Sequence, residues 1–286
     1  MIKIENCDNL ELLKSQPNES IDLIYCDILY GTGRKFKDYQ DLKPIRSEIE
    51  SHYIPRIKEM HRVLKGTGSI YLQMDTRINH WMRCLVDDIF GYDNFRNEIS
   101  WCYNVGGKQK DRFPTKHDVI IFYTKSNKYN FNKIGIIRDT GIKSYGGKIG
   151  VDENGRRYQD KKHKDKYYRY YLDDPKQVED WWSDINTLQS QSKERNNYDT
   201  QKPKALIARI IKASSNEGDT VADFYMGSGT TAEVCYDLKR NFIGCDISEK
   251  AVIIAVKRIQ DAGGNVTQQR LSAEAEASTL PEGNVR

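Results

Sequence analysis

The sequence predicts an α/β protein with a mostly parallel, doubly wound sheet, helices on both faces and an irregular insertion. Three observations predict it. Short apolar runs that end in an acid, Ile21-Asp22-Leu23-Ile24-Tyr25-Cys26 before Asp27 and Thr220-Val221-Ala222 before Asp223, read as buried strands opening onto loops. In both halves of the chain such runs alternate with segments of helical periodicity. Between about residues 132 and 197 the alternation gives way to Gly, Lys, Asp and Tyr.

In chain order, the first strand leads into the loop Gly31-Thr32-Gly33, and residues Ile45 to Leu64 carry apolar positions at helical spacing, closing on Lys65-Gly66. Gly68 to Gln73 reads as the next strand, completing a β-α-β unit. A helix follows from Asn79 to Phe90, stopped by Gly91, and then strands around Glu98 to Tyr103 and Asp118 to Tyr123. The insertion carries glycines at 135, 141, 146, 147, 150 and 155. Order returns with a helix at Lys204 to Ala213, a strand at Thr220 to Asp223 and a helix at Thr230 to Leu238. A strand at Asn241 to Cys245 and a helix at Ser248 to Gln260 complete this second unit. The end of the chain, Ala-, Glu- and Ser-rich with almost no bulky apolar residues, is expected to be disordered.

At 286 residues, 38% hydrophobic and 30% charged, the chain is long enough to bury a substantial core. No apolar run approaches the roughly 20 residues of a membrane span, and Lys3, Glu5 and Asp8 interrupt any secretory signal. A cytoplasmic protein with no membrane partner is expected. The six cysteines form no Cys-x-x-Cys pair and have no histidines at metal spacing, so neither a disulfide nor a metal site is expected. A net charge of +4 does not by itself imply a nucleic-acid partner. Its distribution says more: Lys161, Lys162, Lys164 and Lys166 are interleaved with aromatics in the run from Lys161 to Tyr171. Such a run suits phosphates and bases, or else it is a solvated edge with one tyrosine face in the core.

After the strand ending at Asp223, Gly227 and Gly229 allow a tight turn that brings bare backbone against a ligand at a helix N-terminus. Asp246 ends the next strand, about 20 positions further on, where an acid in a doubly wound fold holds ribose hydroxyls. Ala232 departs from the Gly-x-Gly-x-x-Gly fingerprint and weakens the dinucleotide reading.

The run Asp223-Phe224-Tyr225-Met226-Gly227-Ser228-Gly229-Thr230-Thr231 resembles the cofactor motif of amino-group DNA methyltransferases that use S-adenosyl-L-methionine, with Phe224 in place of a proline. Methylating the exocyclic amine of a base requires acceptors for its two protons, because the lone pair is delocalised into the ring. Asp27 can supply one acceptor and the Ile28 carbonyl the other, while Tyr30 can stack on a flipped base. Asp27-Ile28-Leu29-Tyr30 is similar to the family's Asp-Pro-Pro-Tyr, with both prolines replaced. The resemblance extends to Asn6-Cys7-Asp8, Trp101, Arg112-Phe113-Pro114-x-x-His117-Asp118, Trp181-Trp182-Ser183-Asp184-Ile185 and Tyr198-Asp199-Thr200-Gln201-Lys202-Pro203.

The catalytic motif precedes the cofactor motif, which is the permuted β-group order. The resemblance implies a Rossmann-like methyltransferase fold and N6 methylation of adenine in DNA. Cytosine N4, or a DNA-binding relative impaired by the lost prolines, is the alternative. Catalysis is implied at Asp27 and Tyr30, and cofactor binding at Asp8, Asp27, Lys202, Asp223, Tyr225, Gly227, Ser228, Gly229, Thr230, Thr231 and Asp246. Base or DNA contacts are implied at Tyr30, Trp101, His117, Lys161, Lys162, Lys164 and Lys166. The domains expected are a catalytic half at 1–132, a target-recognition insertion at 133–195, a cofactor half at 196–265 and a tail at 266–286. A cognate restriction enzyme and a homodimer remain open.

Overall fold

The computed structural model describes residues 1–35, 40–104, 109–136, 149–189, 191–196, 198 and 200–269. The expectations for residues 270–286, for the glycines at 141, 146 and 147, and for Asp199 lie outside the described residues.

The first half of the chain runs β1 (Ile2–Asn6), α1 (Asn9–Ser15), β2 (Ile21–Asp27), α2 (Arg46–Val63), β3 (Leu64–Met74), α3 (Asn79–Phe90), β4 (Phe95–Cys102) and β5 (His117–Thr124). Short strands follow: β6 (Gly135–Ile136), β7 (Ile149–Val151), β8 (Arg157–His163), β9 (Lys166–Tyr171), β10 (Lys176–Gln177) and β11 (Trp181–Trp182). The last part comprises α4 (Lys204–Ser214), β12 (Thr220–Asp223), α5 (Thr230–Asp237), β13 (Asn241–Asp246), α6 (Glu249–Asp261) and β14 (Val266–Gln269).

Contacts divide the chain into a larger unit, Met1–Asn132 with the described residues from Asp180 onward, and a smaller one, Lys133–Glu179. The larger unit holds a nine-stranded sheet in the order β11-β4-β5-β3-β2-β12-β13-β1-β14. Its neighbours are parallel except that β5 runs antiparallel to both β3 and β4. Helices α1, α2 and α3 pack on one another as one layer, and α4, α5 and α6 as a second. The smaller unit, by itself, consists of the antiparallel sheet β7-β8-β9 and the pair β6-β10.

The local sequence accounts for these elements. The first six residues of β2 are all buried, as a strand covered on both faces demands, and the one acid among them, Asp22, is bonded by Lys65 at 2.8 Å and by the Thr220 N–H at 2.9 Å. In α3 the residues Met82, Leu85, Val86 and Phe90 form one buried stripe, and Gly91 ends the helix at φ +85°. Burying such side chains stabilises the fold by about 1.5–3 kcal/mol each. Ser248 caps α6 by accepting the Ala251 N–H at 3.3 Å.

Three elements differ from the sequence expectation. Strand β1 has no apolar run, because Lys3 and Glu5 pair with each other at 2.9 Å and so enter the sheet together. Residues 266–269, expected to begin a disordered tail, form β14, because β1 offers its backbone edge in parallel register. The compact insertion ends at Glu179 and not at 195. Trp181 and Trp182 pair with Ser100 and Trp101 on the main sheet, and the carboxylate of Asp184 holds Arg209 of α4.

The chain leaves β2 toward β3, β5 and β4 on one side, while β12, β13 and β1 lie on the other. The boundary between β2 and β12 is therefore the switch point of the sheet, where ligands bind outside the carboxyl ends of the strands. Asp27 and Asp223 are the last residues of these two neighbouring strands.

Candidate active site

A cavity of about 480 Å³ opens at this switch point, entirely within the larger unit. Asp8, Asp27, Tyr30, Lys202, Tyr225 and Asp246 are among its walls. Trp101, His117 and the lysine-run residues are not.

On the cofactor-motif side, β12 ends and the chain turns through Gly227 at φ +54° and Gly229 at φ +76° before entering α5. A Cβ on Gly229 would fall 2.5 Å from that of Ala255, so glycine here serves both the turn and the packing of α5 on α6. Asp246 accepts the N–H of Gly227 and that of Ser248, each at 2.9 Å, on different oxygens. A carboxylate offers about four lone-pair sites, so hydroxyl donors can join these two. Asp223 is used within the loop, accepting the Tyr225 N–H at 3.0 Å and the Thr231 hydroxyl at 2.6 Å. Burial pushes its carboxyl up to about 7, with the Thr231 bond opposing the shift. The Thr230 hydroxyl and the Ser228 carbonyl both take the Arg258 guanidinium, so α6 holds this loop from behind.

Asp8 caps α1 through the Leu10 N–H at 2.8 Å and pairs with Arg56 of α2 at 2.9 Å. The Tyr225 hydroxyl lies 3.0 Å from Nε2 of His52. Burial, and then the Arg56 charge, push that imidazole down to about 4, so it is neutral at about pH 7.

On the catalytic-motif side, Asp27 is the acidic end of a buried strand. Lys202 reaches its Oδ2 at 2.5 Å and lies 5.3 Å from the centre of the Tyr30 ring. Burial pushes the Asp27 carboxyl above the usual range, and the Lys202 charge draws it back. The Tyr30 hydroxyl is 2.8 Å from Oδ1 of Asp27 and 2.8 Å from Oδ2 of Asp118. Burial, then these two carboxylates, hold the phenol well above its ordinary value, so it remains a hydroxyl. Behind it, Asp118 accepts the Gln73 amide and the Tyr103 hydroxyl, each at 2.9 Å, and Gln73 in turn accepts Tyr25 at 2.7 Å. The loop backbone is fixed by the Ile28 N–H donating to the Gln73 carbonyl and by the Tyr53 hydroxyl donating to the Leu29 carbonyl, both at 3.0 Å. Among the described residues no such donor is found on the Ile28 carbonyl.

The fold thus brings Asp8, Asp27, Tyr30, Lys202, Tyr225, Asp246 and the glycine loop of the sequence expectation to one cavity, with Lys202 on the Asp27 carboxylate. It does not bring Trp101, expected at the base. That side chain is 1% exposed and its Nε1 donates to the Ile185 carbonyl at 2.7 Å, because an indole on the inner face of β4 is buried by the segment after β11. His117, at the start of β5, stands opposite Cys102 and away from the cavity walls. Sequence reasoning missed Gln73, Tyr53 and Arg258. A polar residue at the end of an apolar run was the available signal for Gln73.

A nucleoside-sized cavity at the switch point of a doubly wound sheet, with Asp246, Asp27 and Tyr30 in its walls, suits an enzyme with a nucleotide-like donor. The family model described as DNA methylase matches residues 21–257, and the chain belongs to that family. It is 32% identical over 260 residues to the Type II methyltransferase M.HpaI of Haemophilus parainfluenzae, covering 88% of this chain and 73% of that protein. It is 30% identical over 264 residues to the DNA adenine methyltransferase YhdJ of Escherichia coli K12, covering 89% and 81%. Among solved structures, the PvuII DNA methyltransferase (cytosine-N4-specific) superposes with a TM-score of 0.64 at 16% identity, over 97% of this chain and 90% of that one. The M1.HpyAVI–SAM complex does so at 0.57 and 20%, over 90% and 98%. At these identities the two structures establish the fold.

The donor of a DNA methylase is S-adenosylmethionine, and the cavity fits it. The volume suits a nucleoside with an amino-acid arm, and Gly227 presents bare backbone in its wall. DNA is the partner of the family. Among the described residues no helix is long and apolar enough to cross a membrane.

Proposed function

We propose that this chain methylates the N6 amino group of an adenine flipped out of DNA, with Asp27, the Ile28 carbonyl and Tyr30 at the acceptor end and Asp246 at the donor's ribose. The observation that carries this reading is the pairing, at one cavity mouth, of a carboxylate with an adjacent loop carbonyl that no described residue engages. Bound S-adenosylmethionine supplies an electrophilic methyl group. Asp27 and the Ile28 carbonyl each accept one amino proton and hold the nitrogen lone pair toward that methyl. Tyr30 offers an aromatic face to the base, and the Lys202 charge opposes the burial that raises the Asp27 carboxyl. The glycine loop and Asp246 orient the donor, while Asp8, Tyr225 and the apolar wall near Phe224 exclude water from its adenosine part.

Adenine as the target is supported by Asp at the head of the catalytic motif and by the likeness to YhdJ. Several relatives are named Type II methyltransferases, which supports a place beside a restriction enzyme of the same specificity. The smaller unit, with its basic and aromatic hairpin β8-β9, is assigned to DNA recognition, and a cytoplasmic location accords with that substrate. The test is incubation with donor labelled in its methyl group and genomic DNA, followed by nucleoside chromatography. Label in N6-methyladenine is expected; label in N4-methylcytosine would select the rival base, and no label would select an impaired DNA-binding relative.

A further inference from the structure

We propose that Asp118 is a second proton-handling carboxylate of the methyl-transfer site, receiving through the Tyr30 hydroxyl the proton that Asp27 takes from the amino group. The proposal rests on the N6-methylation reading above and extends it by one residue and one step.

Three oxygens lie in series: Oδ1 of Asp27, the Tyr30 hydroxyl at 2.8 Å, and Oδ2 of Asp118 at a further 2.8 Å. The hydroxyl has one proton and cannot donate to both carboxylates at once. With both ionised, one of them always faces a lone pair, a costly arrangement for a buried group. A second proton in the series removes that conflict, because each oxygen-to-oxygen contact then holds one hydrogen. Methyl transfer generates that proton, since the amino nitrogen loses one N–H as it gains its methyl group.

The surroundings of the two carboxylates differ in charge. Asp27 is held by the Lys202 ammonium at 2.5 Å, which favours its ionised form. Around Asp118 the described donors are neutral: Tyr30 and Gln73 on Oδ2, and Tyr103 on Oδ1, the last two at 2.9 Å. The Gln73 amide is oriented by the Tyr25 hydroxyl on its carbonyl oxygen, so its NH₂ points at Asp118. Asp118 is 4% exposed and lies outside the cavity walls, which leaves Tyr30 as its link to the reacting end. Tyr103, partly exposed like Tyr30, lies on the far side of Asp118 from Asp27 in the hydrogen-bond series and offers a way out to solvent.

The step balances. The N–H bond breaks and the proton moves to Asp27; Asp27 passes a proton to the Tyr30 oxygen as Tyr30 passes its own to Asp118. Asp27 returns to carboxylate, Tyr30 is unchanged and Asp118 ends neutral. Strand placement makes this possible: Asp27, Gln73 and Asp118 come from the neighbouring strands β2, β3 and β5.

The experiment is single-turnover methyl transfer to DNA by the parent chain and by Tyr30→Phe, Asp118→Asn and the double variant, with affinity for DNA and donor measured in parallel. Tyr30→Phe keeps the aromatic face and breaks the series at its middle; Asp118→Asn keeps the shape and removes the terminal proton acceptor. Each is expected to slow the transfer step by about 10²-fold, the lower end of general acid–base effects, with both affinities within about threefold of the parent. The double variant is expected to be no slower than either single one, because all three interrupt the same path. A transfer rate for Asp118→Asn or Tyr30→Phe within about twofold of the parent would overturn the relay, as would effects that multiply in the double variant. If Asp118→Asn fails to fold, Tyr30→Phe alone decides. A parent that transfers no methyl group would overturn the function and the relay with it, whereas an active parent with unimpaired variants removes the relay only.

Discussion

The Ile28 N–H donates to the Gln73 carbonyl at 3.0 Å, a hydrogen bond that proline at position 28 cannot make. The loop from Asp27 to Tyr30 therefore obtains from β3 the rigidity that a proline ring supplies in the family's motif. The next residue is treated similarly, with the Tyr53 hydroxyl on the Leu29 carbonyl. Replacing the prolines has changed the means of fixing the loop, and the Ile28 carbonyl is left without a described donor of its own.

It follows that Ile28→Pro should not improve the enzyme. Removing the bond and a side chain that is 2% exposed is expected to destabilise the fold by about 1–3 kcal/mol, and to leave methyl transfer equal to or below the parent. Tyr53→Phe removes only the hydroxyl and is expected to cost about 0.5–1.5 kcal/mol, with a lower transfer rate at unchanged donor affinity. Denaturant unfolding and single-turnover rates check both. A gain in rate from Ile28→Pro would mean that the natural loop is poorly placed.

Donor affinity should depend on Asp246 at two levels. Its carboxylate supplies acceptors for hydroxyls and also holds the Gly227 N–H at 2.9 Å, so its removal both deprives the ligand of a partner and loosens the turn. Asp246→Ala is expected to weaken S-adenosylmethionine binding by about 1.5–3 kcal/mol, the scale of hydrogen bonds to a charged group. Calorimetry on the purified chain measures this, and unchanged affinity would remove Asp246 from the ribose.

Legibility in the sequence followed burial. Strands β2, β12 and β13 are buried on both faces and present continuous apolar runs, and the acids that close them stand out as Asp27, Asp223 and Asp246. Strand β1 was not legible, because its polar residues cancel each other by pairing, and β14 was not, because its stability comes from a partner nearly the whole chain away. The site divided in the same way. Residues in a contiguous motif were readable, whereas Gln73, Tyr53 and Arg258 act through contacts that only the fold brings together. Trp101 shows the converse: its motif was readable but its position was not, since a tryptophan on a strand of this sheet fits a base pocket or a core equally well.

The Asp223 carboxyl, raised by burial to about 7, should make stability depend on pH. Its unfolded value is near 4, so between about pH 4 and pH 7 the folded state binds the extra proton, and stability falls as pH rises through that window and levels off above it. At about 1.4 kcal/mol per pH unit the contribution amounts to about 4 kcal/mol at most. Asp223→Asn cannot titrate and should lack this component. Unfolding free energies of both chains at about pH 5 and pH 8 are the check. The parent is expected to lose more stability than the variant between the two, and equal losses would mean that Asp223 is ionised throughout.

The hairpin of the smaller unit has two unlike faces, and only one is suited to a phosphate backbone. On one face Asp160 takes Arg169 at 2.9 Å, with Arg169 also 3.6 Å from the Tyr158 ring centre, and Lys162 stands opposite Tyr167. On the other face Lys161 is paired with Tyr168, His163 with Lys166, and Gln159 with Tyr170, with no carboxylate at any of these positions. Tyr168 and Tyr170 are exposed there. Tyr167 is likewise exposed on the first face, so what separates the two is the acid: the face without a carboxylate fits contact with DNA, whereas the first carries the Asp160–Arg169 ion pair. Lys164 lies in the turn at φ +54° and belongs to neither. The Lys161→Ala, Lys166→Ala double variant is therefore expected to reduce the salt-dependence slope of DNA binding by up to about 1.8, at about 0.9 for each phosphate no longer neutralised. Lys162→Ala, on the opposite face, should leave the slope as it is. Fluorescence anisotropy across a salt series distinguishes the two. Equal reductions from both variants would show that charge alone counts, and no reduction from either would make the hairpin a solvated surface.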